Sequence, residues 1–492
     1  MNKKMRTLTI LLAVLLIVSA AAFGISRYEE KMEEIRTSDE VIMCVDPDSV
    51  TALSWTYDGT TLSFTKNDEG WHWDEDEAFP ADSEKLMDLL EQFREFGAAF
   101  VIEDPDDLGS YGLDKPTAEI LITAGEDVYT VSLGDFSKMD EERYVSIGDG
   151  NAYLVKHDPL DDYDLDISDL ILNDEIPTLT GASQMTLTGG DESYTAVYES
   201  SSEKSWCSDD TWFVGEAPLE TSTVRSYLRN AGNLSLNTYA SYNVTDEELA
   251  EFGLDAPELT VSVLLPADDD GNPEQTVVLY VSRNVSELAD AMENSPDDLT
   301  GVTAYLRVGD SQIVYVLSYS DYSKLAAWTY DDLRHDEVMT ASFDDIYQID
   351  ISLEGSSYTL SASDTSDDRV WHNTTGADLP AESTDEAEDE AEDTEEEDAE
   401  ETSGEPEVDI SDIEDAVGAI LADSFTDETP AGKEEIELTF HLENENWPEI
   451  RLTLYRYDGS SCLAQINGET VALVSRSSVV DLIEAVNAIV LG

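Results

Sequence analysis

Carboxylates dominate the residues of this sequence that could take part in chemistry, and the chemistry they suit best is the binding of a hard cation. Two stretches are densest in them: Asp268-Asp269-Asp270-Gly271-Asn272 and the segment from Asp158 to Asp169. Neither has the pattern of a calcium loop, since the second lacks the central glycine and the terminal bidentate glutamate. We interpret both as solvated loops that accumulate cations only by screening, with no specific metal site.

Histidine could ligate a transition metal or transfer protons, and the chain has 5 histidines. His72 follows Trp71 and His372 follows Trp371, at matching places of a repeat described below. The equivalent Trp212 is followed by phenylalanine, so a shared metal role is not supported, and we expect both histidines to point outward from a strand. The other three lack the i, i+4 and H-E-x-x-H spacings: His157, His335 and His441. The sequence therefore predicts no zinc site.

The cysteines are scattered along the chain at Cys44, Cys207 and Cys462, without any C-x-x-C pair. Their odd number rules out a fully paired disulfide framework. We predict that these thiols serve in packing.

Motifs of nucleophilic or phosphate chemistry are missing from the sequence. It contains no G-x-S-x-G elbow, no G-x-x-x-x-G-K-[ST] loop and no G-x-G-x-x-G that opens a helix after a strand. A pair of carboxylates at the spacing of a glycosidase does not indicate that activity here, because 111 Asp and Glu residues provide pairs at every spacing. Tryptophans and tyrosines could line a sugar or peptide groove, but one aromatic residue per strand is typical of core packing. We predict no catalytic, cofactor-binding or metal-binding residues, no cofactor and no enzymatic activity.

Length and charge limit the class of protein. At 492 residues the chain exceeds the usual single core, so two to four domains are expected. The formal charge of -86 repels phosphate backbones, which excludes nucleic acid as a partner. A hydrophobic fraction of 41% still supplies a core, so we expect a folded body with an acidic surface.

The N-terminal residues predict a membrane anchor. Lys3, Lys4 and Arg6 precede an uncharged run from Leu8 to Ile25, which is about 27 Å long as a helix and so just long enough to cross a bilayer. Positive residues stay inside, so residues 1–25 are predicted as a cytoplasmic stub and single-pass signal anchor, 26–40 as a juxtamembrane segment, and the rest as extracytoplasmic. The alternative is a cleaved signal peptide, since small residues follow at Ala20 to Ala22.

A duplicated signature organises the remainder of the chain. Tyr111-Gly112-Leu113-Asp114-Lys115-Pro116 returns as Phe252-Gly253-Leu254-Asp255-Ala256-Pro257. We predict that each glycine takes the left-handed conformation that ends a helical turn, and that the proline then starts a strand, at Ala118 and at Leu259.

The neighbours of the signature recur in order. Each copy is predicted to open with a hairpin, at Asp58-Gly59 in the first, followed by a tryptophan and an amphipathic helix. The apolar positions of the three helices are Leu86, Leu89, Leu90 and Phe93; Val224, Tyr227, Leu228 and Ala231; and Ile413, Ala416, Val417 and Ile420.

These repeats predict the fold class. We expect an α+β protein in which an N-terminal transmembrane helix precedes three related modules of antiparallel β-sheet with packed helices, over residues 41–176, 177–340 and 341–492. The third module lacks the signature, so it is either the most diverged module or a cap. A polyacidic insertion over about 376–408 is predicted to be disordered, because like charges repel and apolar residues are missing.

The sequence resembles the domain of unknown function 4340 family. The resemblance lies in the Tyr/Phe-Gly-Leu-Asp-x-Pro signature, in the strands around Tyr144 and Tyr305, and in Asp331-Asp332-Leu333-Arg334. It implies a membrane-anchored extracytoplasmic protein encoded beside ABC transporter permeases and an auxiliary subunit, and it supplies no catalytic residues.

Three functions are therefore considered. The expected one is a membrane-anchored extracytoplasmic scaffold or binding accessory of an ABC-type transporter complex, with a permease or auxiliary subunit as its partner. The alternatives are an extracytoplasmic hydrolase acting on cell-wall glycan or peptide, and a calcium-responsive surface polyanion.

Overall fold

Antiparallel β-strands make up most of the regular secondary structure that the computed structural model describes. The structure describes residues 40–68, 70–200, 203–267, 271–364, 369–375 and 407–491. These residues form two compact units. The first comprises the chain up to Glu175 with Leu236–Thr245 and Ser311–Tyr315, and the second comprises Ile176–Ser235, Asp246–Asp310 and the chain from Val316 onward.

The first unit contains an eight-stranded antiparallel sheet. The strands of this unit before Glu175 are, along the chain, β1 (Glu40–Met43), β2 (Val50–Tyr57), β3 (Thr60–Asn67), β4 (Gly70–Trp73), β5 (Phe96–Ala98), β6 (Phe100–Ile102), β7 (Ala118–Ala124), β8 (Asp127–Ser137), β9 (Glu142–Ser146) and β10 (Ala152–Val155). Its helices are α1 (Ser83–Glu91) and α2 (Leu160–Tyr163), with 3₁₀ turns at Pro47–Ser49, Leu108–Tyr111 and Ile167–Leu170. The sheet order is β4-β3-β2-β7-β8-β9-β10-β6, and β1 pairs with β5 separately.

The chain continues with the elements of a second sheet. They are β11 (Gln184–Gly189), β12 (Glu192–Tyr198), β13 (Trp212–Val214), β14 (Ala217–Leu219), α3 (Thr221–Gly232), β15 (Tyr239–Ser241), α4 (Asp246–Glu251), β16 (Leu259–Leu265), β17 (Gln275–Arg283), α5 (Val285–Asn294), β18 (Ala304–Val308), β19 (Val314–Leu317), α6 (Tyr319–Ala326) and α7 (Tyr330–Leu333). In the second unit the strands lie in the order β14-β13-β12-β11-β16-β17-β18. In the first unit, β15 pairs with the beginning of β19.

The second unit also contains the last sheet of the chain. A 3₁₀ turn at Phe343–Asp345 precedes β20 (Ile346–Leu353), β21 (Ser356–Asp364), β22 (Arg369–Asn373), β23 (Glu407–Val408), α8 (Ser411–Gly418), β24 (Ala422–Phe425), β25 (Glu434–Leu442), β26 (Glu449–Arg456), β27 (Ser461–Ile466), β28 (Glu469–Ser475) and α9 (Arg476–Val490). The order is β23-β22-β21-β20-β25-β26-β27-β28-β24.

The three sheets follow one strand order. In each, the opening hairpin and the strand after it form one side, and the later strands continue from the first strand of that hairpin. The last sheet keeps this order although its sequence lacks the glycine signature. The exact module boundaries remain a prediction.

The local predictions for hairpins and helices are confirmed. Asp58 and Gly59 have φ values of 46° and 80° and join β2 to β3. Leu86, Leu89 and Leu90 of α1 are buried, as is Phe93 just after it. The equivalent apolar positions of α3 are buried too. These elements depend on periodicity within a few residues, which the sequence displays directly.

The glycine signature has the same geometry in both copies. Gly112 and Gly253 each have a φ of 72°, and the next strands begin at Ala118 and Leu259, as predicted. The aromatic residue before each glycine packs on a strand tyrosine: Tyr111 on Tyr144 at 4.9 Å, and Phe252 on Tyr305 at 4.4 Å between ring centroids. The signature therefore serves to pack an aromatic side chain against a neighbouring strand.

The predicted fold class, α+β with an N-terminal transmembrane helix, is wrong. In the described part of the chain, most of the regular secondary structure lies in large antiparallel sheets, and the helices that connect the strands are short. The helical patterns in the sequence cover only about two turns each, whereas alternating patterns recur throughout.

No helix in the described part of the chain combines the length and apolar character that a membrane span requires. The predicted anchor over residues 1–25 lies outside the described residues, as does most of the acidic insertion, residues 376–406. The last two residues of that insertion form β23.

Gly112→Ala should destabilise the first unit more than Gly125→Ala. A Cβ at Gly112 would lie 2.7 Å from Asp135 Cγ and 2.8 Å from its backbone nitrogen, whereas a Cβ at Gly125, with a φ of 62°, would meet nothing within 4 Å. We expect the first change to lower the free energy of unfolding by about 2–4 kcal/mol and the second by about 1 kcal/mol. Urea denaturation read through hydrogen exchange of β7 and β8 measures both. Equal losses would contradict a steric role for the signature.

Candidate functional site

An aromatic cleft lies in the second unit, between elements of its two sheets. It encloses about 420 Å³. Four aromatic side chains line it, together with a charged segment after α7 and the turn between β27 and β28. The aromatic residues are Trp206, Tyr330, Phe425 and Trp447. This volume and lining are typical of ligand or peptide-anchor pockets.

The walls of the aromatic cleft are held by specific contacts. Trp206 packs edge-on against Trp447 at 5.3 Å between centroids, and its Nε1 donates to Thr340 Oγ1 at 2.9 Å. The guanidinium of Arg334 lies 3.7 Å from the ring centroid of Phe425. It also pairs with Asp331 at 3.3 Å. The cleft is therefore pre-formed by contacts between side chains.

A cluster of three potential metal ligands adjoins the aromatic cleft. Cys207, Asp210 and His335 each offer one ligand atom, and these atoms all lie within 4.8 Å of one another. His335 Nε2 lies 2.7 Å from Asp210 Oδ1. A second cavity of about 400 Å³ is lined by all three residues, and it shares His335, Glu337 and Thr340 with the aromatic cleft. We call these three residues the Cys-Asp-His cluster.

Local hydrogen bonds hold the loop that carries Cys207 and Asp210. The Asp210 amide donates to the Cys207 carbonyl at 3.2 Å. Ser205 Oγ donates to Asp210 Oδ2 at 2.7 Å and accepts from the Cys207 amide at 3.1 Å. Asp210 is only 1% exposed, so this loop folds around its carboxylate.

The segment that carries His335 is held by backbone pairing. The Ala422 amide donates to the Asp336 carbonyl at 2.8 Å, and the Val338 amide donates to the Ile420 carbonyl at 3.1 Å. On the other side of His335, the Arg334 amide donates to the Tyr330 carbonyl at 3.0 Å, so the backbone is held both before and after the histidine. Its Nδ1 lies 3.9 Å from Glu337 Oε2.

The electrostatics of the cluster favour a protonated histidine and a neutral thiol. Burial by itself lowers the pKa of His335, but the hydrogen bond to Asp210 and the charges of Glu220 and Glu337 outweigh it, so the pKa lies above the ordinary value of 6.5. Burial raises the pKa of the Cys207 thiol to about 11, and the charges of Asp210 and Asp209 add to this effect. Cys207 is thus a poor nucleophile at neutral pH, since the thiolate is the reactive form.

The other histidines singled out in the sequence form ordinary polar pairs. His72 Nε2 lies 2.8 Å from Asn67 Oδ1, and His372 Nε2 lies 3.2 Å from Ser363 Oγ. His157 pairs with Asp162 at 2.6 Å, and His441 pairs with Asp350 at 2.8 Å.

The acidic stretches and remaining cysteines lie elsewhere. The solvated-loop prediction is wrong for Asp158, which is buried and pairs with the buried Arg143 at 2.5 Å. Residues 268–270 of the other acidic stretch lie outside the described residues. Cys44 is exposed and Cys462 is buried.

Sequence reasoning did not bring the Cys-Asp-His cluster together. Asp210 and His335 are 125 residues apart, and no spacing rule links them. The only local signal is the C-x-x-D arrangement of Cys207 and Asp210, which is too short to be specific.

Comparison with known proteins gives one relationship. The model of the family described as Domain of unknown function (DUF4340) matches residues 71–206 and 214–436, well over half of the chain. The chain belongs to this family, as its resemblance implied. No curated protein and no solved structure matches it.

The pKa of His335 should lie above 6.5 and should fall when Asp210 is replaced. Because the folded-state pKa is raised, the stabilisation from this pair is fully present below the unfolded value and is lost as pH rises through the folded pKa. An NMR titration of the imidazole in wild type and Asp210→Asn measures this directly. The control is Asp209→Asn, which removes an exposed neighbouring carboxylate and should leave the titration nearly unchanged. A wild-type midpoint at or below 6.5 would contradict the electrostatic account.

Proposed function

We propose that this protein is a binding accessory or scaffold of an ABC-type transporter complex and not an enzyme. Membership of the DUF4340 family is the starting point, and the aromatic cleft of the second unit is the observation that supports binding. A groove with several aromatic side chains and a few charged groups suits the capture of an apolar side chain from a partner.

The charges around the aromatic cleft indicate the chemistry of that partner. Asp336, Glu337 and Glu469 line it, against Arg334 and His335. The chain as a whole carries a formal charge of -86. Complementarity therefore favours a peptide segment that places a Lys or Arg beside an apolar or aromatic anchor. In this proposal the segment belongs to a permease or auxiliary subunit.

The location of the body on the outer side of the membrane is part of the proposal. It depends on the basic and apolar character of residues 3–25, inferred from sequence alone. The alternative of a cell-wall hydrolase gains no activated nucleophile from Cys207, whose thiol pKa is about 11. Loss of wall-fragment turnover on a single carboxylate substitution is the result that would favour it.

Trp447→Ala should release the partner without unfolding the protein. Trp447 is partly exposed and contributes an edge contact to Trp206, so its removal widens the aromatic cleft. We expect recovery of the permease or auxiliary subunit from native membranes to fall at least tenfold, since aromatic anchors at interfaces contribute about 2 kcal/mol or more. Quantitative mass spectrometry of the co-purified proteins measures this.

Tyr319→Ala is the matched control for this experiment. Tyr319 is 50% exposed on α6 and does not line the aromatic cleft. It should leave recovery unchanged. If wild-type protein is recovered alone under conditions that preserve neighbouring complexes, the accessory role is contradicted. If both variants retain the partner, the cleft is not its binding site.

A further inference from the structure

We propose that Cys207, Asp210 and His335 form a zinc site with one coordination position open to the adjoining cavity. The proposal goes beyond the binding role above and does not depend on it. It starts from geometry: the three ligand atoms already lie within 4.8 Å of one another. Ligand atoms around tetrahedral zinc are about 3.3–3.8 Å apart, given metal–ligand distances of about 2.0–2.3 Å. To reach that arrangement, Asp210 Oδ1 and His335 Nε2 must separate from 2.7 Å, so the metal would replace their hydrogen bond.

The types of ligand select the metal. One thiolate, one imidazole and one carboxylate suit Zn²⁺, whereas Ca²⁺ and Mg²⁺ prefer all-oxygen sites. The acidic surface attracts hard cations without selectivity. The Cys-Asp-His cluster differs from that surface because Asp210 is buried and the sulfur and nitrogen ligands are soft or borderline.

Neighbouring groups support Asp210 and His335 as they do the ligands of established zinc sites. Ser205 Oγ donates to Asp210 Oδ2 at 2.7 Å, which leaves Oδ1 directed at His335. With Nε2 of His335 on the metal, its Nδ1 faces the Glu337 carboxylate at 3.9 Å. At 3.9 Å this is an electrostatic contact and not a hydrogen bond, and its negative charge favours a proton on Nδ1, which leaves Nε2 to bind the metal.

The fourth position is open to a cavity. The cavity of about 400 Å³ that contacts all three ligands is also lined by Glu220, Glu337 and Thr340. Three protein ligands with an accessible fourth position are typical of zinc sites that hold water or an exchangeable ligand. Because His335 also lines the aromatic cleft, metal binding would change the charge on that wall of the cleft.

The zinc affinity of the site should depend on pH, because metal and protons compete for the same ligand atoms. Zinc binds the thiolate form of Cys207 and the neutral imidazole of His335, so its binding releases the protons that these two groups carry. The zinc affinity should therefore rise with pH across the neutral range.

Cobalt titration of the intact, chelator-treated chain tests the proposal. A large excess of Mg²⁺ occupies the surface carboxylates. Wild type should give the near-ultraviolet absorption of a thiolate–cobalt bond at one equivalent of Co²⁺, and stoichiometric Zn²⁺ should abolish it. Cys207→Ser should remove the band, and His335→Gln should weaken cobalt binding at least tenfold. The matched controls are Cys44→Ser, an exposed thiol of the first unit, and His441→Gln, another carboxylate-paired histidine; both should bind as wild type does.

X-ray absorption of zinc-loaded wild type gives a second test that needs no variant. One sulfur and two or three nitrogen or oxygen neighbours are expected. A shell made only of oxygen, an absent cobalt band, or a band lost in Cys44→Ser and kept in Cys207→Ser would overturn the proposal.

Discussion

The buried carboxylate of Asp210 is the constraint on which the candidate site depends. A carboxylate that is 1% exposed costs several kcal/mol to bury unless a charged or hydrogen-bonding partner compensates it. His335 and Ser205 provide that compensation. The pairing joins the loop before β13 to the segment after α7, and these two segments form the wall common to the aromatic cleft and the metal-ligand cavity. The raised pKa of His335 has the same origin.

The three sheets share one strand order, and the candidate site lies in a loop where the second copy differs from the first. In the first unit, β3 and β4 are joined by residues 68–69, whereas β12 and β13 of the second unit are separated by residues 199–211. Trp206, Cys207 and Asp210 all lie in this longer connection. The second copy thus has a longer loop at this place than the first, and the side chains of that loop line both cavities. Connections tolerate such additions because they run over the surface and disturb no strand pairing.

Local elements could be predicted from the sequence, whereas contacts between residues far apart in the chain could not. The Asp58-Gly59 hairpin, α1 and the glycine signature depend on residues within a few positions of each other, and all were predicted correctly. The predicted fold class is wrong because the helical patterns of this sequence are short, whereas strand patterns are much more frequent. The burial of Asp158 by Arg143, and the meeting of Asp210 with His335 over 125 residues, follow from strand order, which residue spacing does not reveal.

A double-mutant cycle on Asp210 and His335 tests the central claim most directly. Asp210→Asn, His335→Gln and the double variant would be compared with wild type at a pH below 6.5, where the imidazole is protonated. The free energy of local opening would be measured by hydrogen exchange of the amides of residues 205–211. A coupling of about 1.5–3 kcal/mol is predicted for a buried, charge-assisted hydrogen bond. A coupling within about 0.5 kcal/mol of zero would show that the two residues act independently, and would contradict the account.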